Sequence, residues 1–236
     1  MNAKRLTALL LAVLMVFALS ACAGSGAGAG GPKEADVKAA ADGKAASYDA
    51  LLAAVEQVYN DPDATAEDAM KAAFGADFAA LMMDFYAAAQ EMGEVDDADF
   101  ADVNFLNLED YEKGSEVKLE VKEATALTEE QVKEIQEQAD GVAQSMEMVS
   151  QFYSMYDNMS DEELEESGMT QEDLAQMKVY IDKMVKLGEY FQDCTVGEGT
   201  ALKLNVTVNG EAQELEKTVV KIGDSWVFSD LIDFMS

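Results

Sequence analysis

Among the side chains here that could serve as acids, bases or nucleophiles are 47 carboxylates and two thiols, and no histidine accompanies them. Without an imidazole there is no Ser-His-acid or Cys-His nucleophile system, no His-containing zinc site and no histidine base. Paired carboxylates or a lysine can still do acid–base work in a defined cleft. With so many acids, however, no spacing singles out one pair. Two clusters are dense enough to attract a divalent cation: Asp96, Asp97, Asp99 and Asp102, and then Asp157, Asn158, Asp161 and Glu162. A calcium loop of the EF type also needs a central glycine and a terminal bidentate glutamate. Neither cluster has that glycine in place, so both read as solvated caps and turns, with weak divalent binding as the alternative.

The remaining chemistry-bearing residues read mainly as structure. Gly24, Gly26, Gly28, Gly30 and Gly31 precede any strand-to-helix unit and form no phosphate cradle. Gly197-Glu198-Gly199 is a bend or bulge near a long strand. Cys194 stands without a second thiol near it, as a small buried hydrophobe or a reactive or bridging thiol. Among the 14 methionines, Met82, Met83, Met146, Met148, Met155, Met159, Met177 and Met184 fall mostly on helices. Flexible thioethers fill irregular cores and also line adaptable grooves. Tyr86, Tyr153 and Trp226 are the aromatic residues to inspect as a pocket lining. The sequons at Asn158 and Asn205 match a glycosylation pattern.

The N-terminus says where such a domain works. Lys4 and Arg5 precede an apolar run, Leu6 to Leu19, and then Ser20-Ala21-Cys22. That run is about 14 residues, about 21 Å as a helix, whereas a hydrocarbon core needs roughly 20. Two positive charges before a short apolar core suit a secretory leader. Leu19-Ser20-Ala21-Cys22 resembles the lipobox of bacterial lipoproteins. That resemblance implies cleavage between Ala21 and Cys22 and a diacylated, palmitate-type lipid on Cys22. It also implies attachment to the bacterial cell membrane on the extracytoplasmic face.

Loss of Lys4 and Arg5 takes the formal charge from −31 to about −33. Such a field repels nucleic acid and anionic headgroups, and no basic patch offers to displace counterions from phosphates. Ala23 to Pro32, nearly all glycine, alanine and serine, reads as a flexible tether, extended by Lys33 to Ala46, a short helix being the alternative for that second stretch. The expected organisation is a signal peptide over 1–21, lipidated cysteine and tether over 22–46, and one α+β domain over 47–236.

Elements follow from periodicity. Tyr48, Leu51, Leu52, Val55 and Tyr59 form a helical stripe ended by Asp61-Pro62. Thr65 with Asp68 is a capping-box variant before a second helix, in which Gly75 marks a kink or interruption. Val103 to Leu108 reads as a short strand, and Glu116 to Lys122 as a clear one with period two. Thr128 with Gln131 caps a long helix whose stripe, Val132 to Tyr156, repeats as a heptad. Ser160 with Glu163, and Thr170 with Asp173, start two more helices. These pack back on the long one as a hairpin, the alternative being a homodimer. Leu202 to Val208 alternates into Asn209-Gly210, a tight hairpin turn. The return strand has a doubtful register around Leu215 and Lys217, which suggests a bulge. A three-residue loop, Gly223 to Ser225, places Ile222 opposite Trp226 and Val220 opposite Phe228.

Val220 to Trp226, with its apolar-Lys-apolar-Gly-x-x-Trp pattern, and the Val117 to Glu130 junction resemble small secreted lipoproteins with an NTF2-like, or cystatin-like, cone. The resemblance covers roughly Ser47 to Phe234, with the helical segment 128–190 as an insertion. It implies N-terminal helices on a curved antiparallel sheet of about four strands. The function expected is that of a membrane-anchored, non-enzymatic module binding a small molecule or an envelope protein, as a monomer, without cofactor, metal site or catalytic residue. A carboxylate-based hydrolase or isomerase in the cone, and a purely structural envelope lipoprotein, are the alternatives.

Overall fold

The computed structural model describes residues 32–92, 104–156, 160 and 170–233. In chain order these form α1 (Glu34–Ala41), α2 (Tyr48–Asn60), α3 (Ala66–Phe74), α4 (Ala76–Glu91), β1 (Val117–Ala126), α5 (Glu129–Tyr156), α6 (Gln171–Asp193), β2 (Val196–Val208), β3 (Glu211–Ile222), β4 (Ser225–Phe228) and α7 (Asp230–Asp233). The class is α+β, with a curved antiparallel sheet in the order β1-β2-β3-β4.

Side-chain caps set the helix starts. The Ser47 hydroxyl accepts from Ala50 N at 3.2 Å. Thr65 with Asp68 and Thr170 with Asp173 each form a reciprocal capping box. Thr128 and Gln131 do the same at α5, where Thr128 N donates to Gln131 Oε1 at 2.9 Å. Gly75 interrupts rather than kinks, separating α3 from α4. The helix expected at Ser160 and Glu163 lies outside the described residues apart from Ser160 itself.

The folded part begins earlier than the Ser47 boundary. The tether expected through Ala46 gives way at Glu34 to α1, whose Val37 and Ala40 are buried, as is Ala45. Trp226 N donates to Ala45 O at 2.9 Å, so this segment also covers the outer edge of β4. At Gly43 the backbone lies against α4, and a Cβ there would fall 2.2 Å from Ala76 N. Only glycine fits.

The sheet corrects three further expectations. Residues 104–108 form turns, not a strand: the Asn104 side chain takes the Leu108 N–H and C=O, and Leu106 N donates to the Tyr59 hydroxyl. The Gly223 loop has two residues, with Ile222 opposite Ser225, Lys221 opposite Trp226 and Val219 opposite Phe228. No bulge interrupts Leu215 or Lys217, which pair with Leu204 and Leu202; the irregularities fall at Val121/Glu123 and Val196/Gly199. Lys217 looks out of register because it occupies a core-facing position. Its stem is only 10% exposed, and its ammonium is paired with Asp230. The Asn209-Gly210 turn has φ of +51° and +90°, the two positive values a type I′ hairpin needs.

One core joins the sheet to α1–α4 and to α5, through Leu51, Val55, Phe78, Leu204, Val206 and Phe228. A smaller cluster of Ala88, Ala89, Tyr153, Leu174, Ile181 and Met184 knits α4 to the α5–α6 hairpin. The heptad stripe of α5 is therefore covered within the chain, by α6 and β2.

Candidate functional site

The space between sheet and helices is filled by rings. Phe74, Phe78, Phe105, Tyr59 and Phe228 meet edge-on or tilted, with centroid separations of 5.4–6.0 Å. Phe78 also packs on Tyr190 and Phe191. Among the described residues, every buried side-chain polar atom has a hydrogen-bond partner.

The three aromatics singled out from the sequence are dispersed. Tyr153 is buried in the hairpin cluster and donates its hydroxyl to Leu174 O at 3.1 Å. Trp226 meets Tyr48 edge-on at 5.7 Å, on β4. Tyr86 is half-buried on α4. None of the three lines the cleft at Lys44, Asp77 and Cys194. Cys22 and both acidic clusters, at 96–102 and 157–162, lie outside the described residues.

A cleft of about 710 Å³ does open where four chain corners meet: the α1–α2 turn, the start of α4, the end of α6 and the β3–β4 turn. Lys44, Asp77, Tyr190, Asp193, Cys194 and Asp224 are on its walls. Three carboxylates against one ammonium make it negative. Burial pushes the Cys194 thiol up to about 11, the Asp193 charge adding to the rise, while a hydrogen bond with Tyr190 pulls the other way. Burial likewise raises the Tyr190 phenol far above its ordinary range. Cys194 is buried, 6% exposed, which matches its reading as a small hydrophobe.

Among the described residues, five carboxylates lie below the usual range: Asp68 and Asp173 through their threonine caps, and Asp84, Glu120 and Glu214 through lysine partners. Among the described residues no three acidic or thiol side chains converge as metal ligands. No helix among them is long and apolar enough to cross a membrane.

Comparison with family models, curated proteins and solved structures gives no match to this chain.

The sequence reading missed this cleft because its walls come from four distant segments. The glycines at the turns, Gly43, Gly75 and Gly223, were the available signal that chain corners might gather.

Proposed function

We propose that the chain is a lipoprotein tethered through a diacylated Cys22 to the extracytoplasmic face of a bacterial cell membrane, where it binds an envelope partner or small ligand without catalysing a reaction. Its α+β wedge is an NTF2-like, cystatin-like cone whose interior has been given over to packing. The observation that carries this reading is the ring-filled interior beside open, negatively charged surface clefts. Recognition then belongs to the surface. With α1 starting at Glu34, 11 residues separate the helix from Cys22, so the proposed anchor and the domain are close in sequence. Fractionation of native cells tests the reading: wild type is expected in the membrane pellet and Cys22→Ser in the soluble fraction, while identical partitioning of the two contradicts it.

A further inference from the structure

Two borders of the sheet are met by other parts of the chain. Asn60 and Glu56 bond to β1 at Val117 and Leu119, and Ala45 O takes the Trp226 N–H of β4. A third stretch is left open. Strand β4 pairs only with Val219 to Ile222, so beside the rest of β3 the fourth strand position is vacant. Val208 and Glu211 flank the two-residue turn and are therefore a hydrogen-bonded pair. From there the β2–β3 ladder runs without a shift to Gly199 and Val220. Glu211, Gln213, Leu215 and Lys217 thus bond to β2, while the N–H and C=O groups of Ala212, Glu214 and Glu216 point away from it. Thr218 is next in that outward set, and its carbonyl accepts from Ser229 N at 2.9 Å. Among the described residues the other three have no backbone partner on that side.

This vacancy selects its occupant. A row of alternate N–H and C=O groups is matched by an extended segment, and not by a helix, whose backbone groups already bond to one another. The lane beside 211–217 is about 20 Å long. Its outer face is acidic: Glu214 and Glu216 are exposed there. The lysines they meet, Lys122 and Lys203, reach them from the β1–β2 side, away from the lane, and Lys203 is shared with Glu123. Lys217 occupies the core-facing side and is held by Asp230. On that inner side the half-buried Leu215 packs against the core. A second copy of this edge, paired antiparallel about Glu214, would set glutamate against glutamate, which is unfavourable.

We propose that this edge of β3 accepts a basic, extended segment of a partner protein as an added antiparallel strand. The partner residues opposite Glu214 and Glu216 are lysine or arginine, and the one opposite Leu215, on the inner side, is apolar. Strand addition takes its affinity from main-chain bonds and its specificity from alternate side chains. Opposite charges directly across a ladder stabilise the pair, and the same glutamates keep acidic edges of the chain's own kind apart. This deepens the partner-binding reading and rests on it.

The test uses the full chain in detergent micelles and a fluorescent peptide of about eight alternating lysines and valines, followed by anisotropy at about 100 mM salt. In an added antiparallel strand the lysine amides point at β3 and the valine amides point away. N-methylation of the lysine amides is therefore expected to weaken binding about 10-fold or more, and N-methylation of the valine amides to stay within about 2-fold. Glu214→Lys with Glu216→Lys is expected to cost about 10-fold, against about 2-fold for Glu134→Lys with Glu147→Lys, an equal charge change on α5. Glu214→Pro removes one outward N–H and no bond to β2, and is expected to cost more than Glu214→Gln, which keeps the N–H. If the β3 variants unfold, the methylated peptides, which leave the protein untouched, decide. Equal effects of the two methylations, equal losses in the two lysine pairs, or no binding by wild type overturns the proposal. So does a dimer of the free chain that Glu214→Pro dissolves, because the edge then belongs to a second copy. Loss of the peptide site with Cys22 still acylated removes the edge site and leaves the anchored reading standing.

Discussion

The Asn60 side chain exchanges two hydrogen bonds with the Val117 backbone: its Nδ2 donates to Val117 O at 2.7 Å and its Oδ1 accepts from Val117 N at 2.8 Å. An amide at the end of α2 thus plays the part of one more strand at the open edge of β1. Glu56, one turn earlier, continues the cover by accepting from Leu119 N at 2.7 Å. Beyond it the edge carries the Val121/Glu123 bulge and charged side chains, devices that discourage edge-to-edge pairing. Asn60→Ala leaves both Val117 groups without protein partners and is expected to cost about 1–3 kcal/mol. Urea unfolding checks it; a change under about 0.5 kcal/mol, within the ordinary surface range, contradicts the edge role.

Caps of this kind, and the Asn209-Gly210 turn, were legible because their partners sit within a few residues. Edge cover was not, since Asn60 and Val117 are 57 residues apart. Lys217 misled the register for a related reason: a lysine at a core-facing position is intelligible only with Asp230 beside it. Helix α1 was legible only as the alternative to a linker, because its composition is alanine-rich; burial of Val37 and Ala40 against α2 and α3 distinguishes it. Tyr86, Tyr153 and Trp226 lie on three separate elements, α4, α5 and β4, whose spatial relation periodicity alone does not reveal.

The packed interior makes Phe78→Ala severe. Phe78 is buried among Phe74, Tyr190 and Phe191, and its truncation is expected to cost about 3–5 kcal/mol. Denaturant titration measures the loss. A cost below about 1 kcal/mol would mean that the space around the ring is open.

Acid should weaken α3 and α6 through their caps. Asp68 and Asp173 have folded-state values below their ordinary 3.8, so their contribution is complete above that pH and disappears as pH falls through the folded values. Protonation also relieves the −31 net charge, which acts in the opposite sense. The comparison that isolates the caps is wild type against Asp68→Asn with Asp173→Asn, from pH 6 to 2. The stability difference is expected to shrink toward acid; a constant difference contradicts the assignment.

Cys194 gives a prediction of the other sign. Its folded value near 11 exceeds the ordinary 9.0, so its contribution is full below pH about 9 and declines as pH rises toward 11. A thiol reagent at pH 8 is expected to modify Cys194 slowly in native protein and rapidly in urea. Tyr190→Phe, which removes the hydroxyl that supports the thiolate, should slow native modification further. Equal native and unfolded rates contradict a buried thiol.

Everything proposed about location depends on Cys22, and intact-mass measurement of the protein purified from its native membranes tests it most directly. The expected species starts at Cys22 and carries the added mass of a diacylglyceryl group. A species retaining Met1, with no lipid adduct, contradicts the anchor and the partners inferred from it.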